Sequence, residues 1–120
     1  MSDQYKRILA IDYGKKRMGL ALSDPLLTFA YAFKTLPNDP KFFGELASII
    51  EEKEVAKIIL GLPLKESGES YGLTEEVKKF KQTLEKKIRF GGDPERRTIF
   101  FIRRERYDHR KRDKKEETER

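Results

Sequence analysis

The sequence contains no cysteine and a single histidine, His109. Without thiols, disulfide scaffolds, thiolate zinc sites and cysteine nucleophiles are all excluded, and a reducing compartment is a natural home. Long hydrophobic runs are missing too: nothing approaches the roughly 18 apolar residues that a membrane-spanning helix needs. The polar opening Met1 to Arg7 passes straight into a short apolar run, which is not the pattern of a secretory leader. The expected location is therefore cytoplasmic. No internal repeat is visible, and 120 residues leave room for one domain with one core.

What charge there is lies unevenly. Residues 1–85 carry 13 basic and 13 acidic side chains, whereas residues 86–120 carry 14 and 8, so the whole net charge of +6 belongs to the C-terminal part. A basic end on a neutral body favours a polyanionic partner through phosphate neutralisation and counterion release. The plain alternative is a solvated tail. From Asp108 to Arg120 there is no apolar residue, so the expected division is a folded domain over 1–107 and a charged tail over 108–120, either an exposed helix or disordered.

Ile8 to Ile11 and Met18 to Leu22 are short apolar runs separated by Tyr13-Gly14-Lys15-Lys16-Arg17, a hairpin signal. In Thr28 to Lys34 the rings of Phe29, Tyr31 and Phe33 fall on every second residue, predicting a third strand with all three in the core. Asn38-Asp39-Pro40 reads as a capping side chain with proline at the first helical position. Phe42, Leu46, Ile49 and Ile50 then recur at the spacing of one helical face. Val55 to Leu60 reads as a buried strand ended by Gly61-Leu62-Pro63-Leu64. A second helix begins near Thr74, whose hydroxyl is a candidate cap, with Leu73, Val77, Phe80 and Leu84 on its apolar face. Thr98 to Ile102 is the last strand. The order predicts an α/β fold with a mixed five-stranded sheet, the first three strands antiparallel, the later ones parallel through crossovers, and helices flanking it.

Asp12 closes the first strand and is followed by Tyr13-Gly14, which sets a carboxylate at the sheet edge where a backbone can approach closely. Hard divalent ions and phosphates suit such a place, although phosphodiester hydrolysis by metal needs several converging carboxylates. Read alone, the same three residues also describe an ordinary turn. Lys15, Lys16 and Arg17 lie in the adjoining hairpin, where cations can grip phosphates or simply be solvated. Asp24 before Pro25 reads as a turn residue, and His109, among arginines, as solvated.

The run from Ile8 to Pro25, Ile-Leu-Ala-Ile-Asp-Tyr-Gly-Lys-Lys-Arg-Met-Gly-Leu-Ala-Leu-Ser-Asp-Pro, resembles the opening signature of the YqgF-type family of Holliday-junction resolvase-like proteins, also described as nucleases of pre-16S ribosomal RNA. Gly61-Leu62-Pro63-Leu64 with Gly68 resembles that family's second signature. The resemblance implies a ribonuclease H-like fold and cleavage of phosphodiester bonds in branched DNA or precursor ribosomal RNA with magnesium or manganese. By position it makes Asp12 the first metal-binding carboxylate. It matches Glu105, in Arg104-Glu105-Arg106-Tyr107, to a second, with both residues catalytic. Lys15, Lys16, Arg17 and Arg106, placed beside these carboxylates in the sequence, are the expected substrate contacts. The leading aspartate of that later signature is Arg104 here, and the family's third carboxylate has no counterpart with apolar flanks, since Asp108 and Asp113 are the only aspartates downstream. The expectation is thus a metal-dependent nuclease, monomeric or homodimeric. Its rival is a catalytically incomplete nucleic-acid-binding module of the same fold, with a protein-binding scaffold as the remoter third reading.

Overall fold

A computed structural model describes residues 7–88 and 99–105. Five strands form one sheet in the order β3-β2-β1-β4-β5: β1 is Arg7–Asp12, β2 Arg17–Ser23, β3 Ala30–Pro37, β4 Val55–Leu64 and β5 Ile99–Glu105. Strand β1 pairs antiparallel with β2 and β2 with β3, while β4 runs parallel to β1 on one side and to β5 on the other. This is the mixed α/β sheet that the sequence predicts. The helices are α1, Phe42–Glu52, and α2, Gly72–Lys87.

Alternation along the strands builds a single core. Leu9 and Ile11 on β1, Leu20 and Leu22 on β2, and Ile58 and Leu60 on β4 pair across the sheet and are all buried. Phe42, Leu46, Ile49 and Ile50 of α1 and Phe80 and Leu84 of α2 join them in one cluster, each large side chain contributing about 1.5–3 kcal/mol. Both helices therefore flank the same face of the sheet. On the other face Phe100 and Ile102 are about half exposed, at 49% and 51%. The four-residue spacing of α1's buried face is as the sequence implies.

Four local expectations are corrected. Phe33 packs against the core, but Phe29 and Tyr31 are 62% and 40% exposed. Phe29 lies just before the edge strand β3 and Tyr31 near its start, and they touch each other instead, with ring centroids 6.3 Å apart. Helix α1 begins at Phe42 rather than at Pro40, with Lys41 as its N-cap and no side-chain cap. Asn38 spends its amide elsewhere, donating from Nδ2 to Gly14 O at 2.8 Å. Strand β4 continues through Gly61 to Leu64 because β5 accompanies it to the end. Past Leu60 it has left β1, so Pro63 sits where one flank is already unpaired. In α2, Thr74 is the third helical residue, accepting from Tyr71 N at 3.1 Å and donating to Pro63 O, so it ties the helix start to β4.

The β2–β3 turn is closed by Asp24, as a turn reading of that residue requires. Its Oδ1 accepts from Thr28 N at 2.7 Å and Phe29 N at 3.0 Å, and its Oδ2 from the Thr28 hydroxyl at 2.7 Å. The Phe29 N–H first, then the Thr28 hydroxyl, hold the carboxyl below the ordinary aspartate value. Hydrogen bonds to the ionised form thus stabilise the folded turn above that ordinary value and are lost as the pH falls through the lowered one. The amide resonances of Thr28 and Phe29 should therefore titrate with a midpoint below the usual aspartate range. A midpoint above it would contradict the role given to Asp24.

Candidate active site on the open sheet face

Because Leu9 and Ile11 point into the core, Ala10 and Asp12 face the uncovered side of β1. Asp12 is exposed at the strand's end, opposite Gly19 of β2. On β4, where Ile11 pairs with Leu60, the next position is Gly61. The carboxylate is therefore flanked by glycine on both neighbouring strands. A side chain at Gly19 would start 3.6 Å from the Asp12 Cβ, so glycine there keeps the floor beside the carboxylate low. Ala10, Ala21, Ala32, Ile59 and Ile102 continue this floor, and together they line a hollow of about 600 Å³. Its charged lining is Asp12, Lys34 and Arg103.

The cations around it come from three elements. Arg17 starts β2 two residues before Gly19, which puts it on the same face as Asp12. Lys16 lies in the turn just before it and is exposed. Lys15 turns the other way: its Nζ is 3.8 Å from the Glu76 carboxylate of α2, so its first partner is the helix layer. With side chains 72% and 42% exposed, that pair contributes little to stability. Lys34 and Arg103, which sequence reasoning passed over, stand on β3 and β5. The Arg103 guanidinium donates from Nη2 to the carbonyls of Lys65 and Glu66, at 3.4 and 3.2 Å, linking β5 to the loop that follows β4. The signal available for Lys34 was a lone cation inside an apolar strand, and for Arg103 the charged run Arg103-Arg104-Glu105-Arg106 that follows apolar residues.

Glu105 does not fall level with Asp12. Its register partner is Leu64, three positions along β4 from Gly61, while Gly61 itself pairs with Ile102. Three residues of strand are about 10 Å, and two strand spacings add roughly the same again sideways. Among the described residues no group of three or more histidines or acids is placed to hold a metal. The oxygen chemistry of Asp12 suits magnesium or manganese, but this carboxylate is one donor and the described residues do not complete a site around it. Arg106, Asp108, His109 and Asp113, like the whole of 108–120, lie outside the described residues.

A sequence profile described as "RuvX: Holliday junction resolvase" matches residues 6–119. Curated relatives named "Putative pre-16S rRNA nuclease" include one from Maridesulfovibrio salexigens, 40% identical over 84 residues, which are 68% of this chain and 62% of that protein. Another, from Koribacter versatilis, is 43% identical over 84 residues, 68% of this chain and 55% of the relative. A third, from Chlorobium phaeobacteroides, is 48% identical over 69 residues, 58% of this chain and 47% of the relative. The chain thus spans about half to three-fifths of the length of these relatives. Among solved structures, a chain of Archaeoglobus fulgidus Pelota aligns with TM-score 0.49 at 11% identity, covering 98% of this chain and 33% of that one. A likeness at that level carries no argument.

Proposed function

This chain belongs to the RuvX Holliday junction resolvase family, and from that premise we propose that it is a nuclease hydrolysing phosphodiester bonds in structured nucleic acid, either a four-way DNA junction or the 5′ end of precursor 16S ribosomal RNA. The observation that carries the reading is the exposed Asp12 carboxylate, set between Gly19 and Gly61 on the sheet face that no described helix covers. Glycines on both sides leave the backbone approach that a bulky phosphodiester needs, Arg17 stands on the same face as Asp12, and Lys34 and Arg103 are on the border of the hollow. Lys16 and Arg17 grip phosphates beside the scissile bond, Lys34 and Arg103 hold the strand across the hollow, and Arg106 extends that contact. Lys15 joins them only by leaving Glu76, so its contribution is the smallest of the turn.

In this reading Asp12 would be the first ligand of a magnesium or manganese ion, which would supply Lewis-acid chemistry at the phosphate; Glu105, whose register sets its backbone three residues farther along the sheet, would be a second ligand only if that strand end moved toward Asp12. The rest belongs to the protein's own groups: the cations fix the phosphate and its neighbours so that the reacting bond lies over Asp12. The protein acts in the cytoplasm, as monomer or homodimer. No described helix is long and apolar enough to cross a membrane.

One observation favours a second reading. With no three-donor cluster among the described residues, the same face can bind nucleic acid without cutting it. End-labelled four-way junctions and 5′-extended 16S precursor, incubated with the protein in magnesium, manganese or EDTA, separate the two. Cleavage of either substrate that requires the ion is the expected result. Salt-sensitive binding without cleavage in any condition would replace the nuclease with the binding module.

A further inference from the structure

The turn that carries Lys16 and Arg17 is held from outside itself, by a residue of the next strand's end. Strand β3 pairs with β2 as far as Pro37 opposite Arg17. Proline has no N–H to give, and the next donor is Asn38, whose backbone N–H bonds to Lys16 O at 2.9 Å. Its side chain then reaches further into the turn and donates from Nδ2 to Gly14 O at 2.8 Å, in a half-buried position. One residue thus holds two carbonyls of the four-residue connection between Asp12 and Arg17, one at each side of Lys15. The turn is also folded tightly on itself: a Cβ on Gly14 would lie 2.2 Å from Arg17 O. Few other conformations bring Gly14 O and Lys16 O to one side chain and its own backbone at the same time.

We propose that Asn38 is the positioning residue of the phosphate-binding turn, its amide fixing the backbone that presents Lys16 and Arg17 beside Asp12. It touches no phosphate. It acts through Gly14 and Lys16, by removing the freedom the turn would otherwise lose on binding. The inference rests on the nucleic-acid reading of this face.

The test compares wild type with Asn38→Leu, close to isosteric and without a donor, and with Asn38→Ala, which guards against an effect of leucine itself. Hydrogen exchange is followed in peptides covering residues 13–17, and affinity for a labelled four-way junction is measured from low to moderate salt. A hydrogen bond of ordinary net worth predicts exchange in the turn about five- to tenfold faster in both variants, with exchange in β1 and β4 unchanged. Affinity should fall by a similar factor, and the slope of log affinity against log salt should become shallower by about one to two, as one or two phosphate contacts are lost. In a Lys16→Ala/Arg17→Ala background, Asn38→Leu should change affinity less than about twofold, because the groups it positions are gone. Wild-type exchange in the turn of both variants would overturn the proposal, as would an equal loss of affinity in the two backgrounds. Should the wild type bind no nucleic acid at all, the functional reading falls, while the exchange measurement still decides whether Asn38 holds the turn.

Discussion

Asp12→Asn should lower metal-dependent cleavage by about a thousandfold or more while leaving the fold and the binding of substrate nearly as they are. The size follows from what the carboxylate is asked to supply. A metal-assisted phosphodiester hydrolysis draws several kcal/mol of transition-state stabilisation from the ion and its ligands, and each 1.36 kcal/mol is a factor of about ten. Asparagine keeps the size of the side chain but offers a neutral amide where the charge was. The site lies at an exposed strand end, outside the cluster of Leu9, Ile11, Leu60 and Phe42, so the midpoint of thermal unfolding should move by only a degree or two. Removing a negative charge on the face that carries Arg17 leaves phosphate binding unchanged or slightly tighter. Rate and affinity measured together on the variant check both halves. Loss of both in parallel would make Asp12 a structural residue of the turn.

The second large effect is expected at Gly14. A methyl group there would sit 2.2 Å from the carbonyl oxygen of Arg17, and that oxygen belongs to backbone, so neither partner can step aside as a flexible side chain would. Gly14→Ala must open the turn, at a cost of about 1–3 kcal/mol, and in opening it breaks the contacts that Asn38 makes. Stability and nucleic-acid affinity should fall together, which no substitution on the solvent face of α1 should do. Gly44→Ala is the matched control. Its Cβ would meet nothing within 4 Å, and alanine in an exposed helix interior is better than glycine by about 0.5–1 kcal/mol. Urea unfolding of the two variants should therefore shift in opposite directions. A Gly14→Ala protein as stable as wild type would mean that the turn has another low-energy shape.

Much of the architecture was legible because it depends on periodicity. Leu9, Ile11, Leu20 and Leu22 alternate, Phe42, Leu46, Ile49 and Ile50 recur at helical spacing, and both patterns are what burial on one side requires. The uncovered face was not legible. In β1, β4 and β5 the outward positions are themselves apolar or small, Ala10, Ile59, Phe100 and Ile102, so the runs read as strands buried on both sides. Phe29 and Tyr31 misled for a related reason: alternation tells which residues share a face but not whether a helix lies over it. Asn38 was misplaced because Asn38-Asp39-Pro40 is a genuine capping pattern, and only the tertiary position of Gly14 O shows that the asparagine amide donates to the β1–β2 turn.

The site divides in the same way. Asp12 was legible through the run that ends in Tyr13-Gly14, and the structure adds what no spacing contains, the glycines on both neighbouring strands. Lys34 and Arg103 border the hollow from β3 and β5, strands brought beside the centre by sheet order and not by sequence proximity. Glu105 was named only through resemblance, and its backbone register opposite Leu64 now gives that assignment a specific distance to satisfy.

The account's central claim is that the open face at Asp12 is where a divalent ion and the scissile phosphate meet. Manganese titrated into isotopically labelled protein tests it without any substrate, because the paramagnetic ion broadens the amide resonances nearest to it first. The account predicts that Asp12, Tyr13 and the cross-strand neighbour Gly19 broaden together at the lowest manganese concentrations, and that Asp12→Asn removes the effect. Broadening confined to the acidic residues of 108–120, or spread evenly over the surface with Asp12 unaffected, would contradict it.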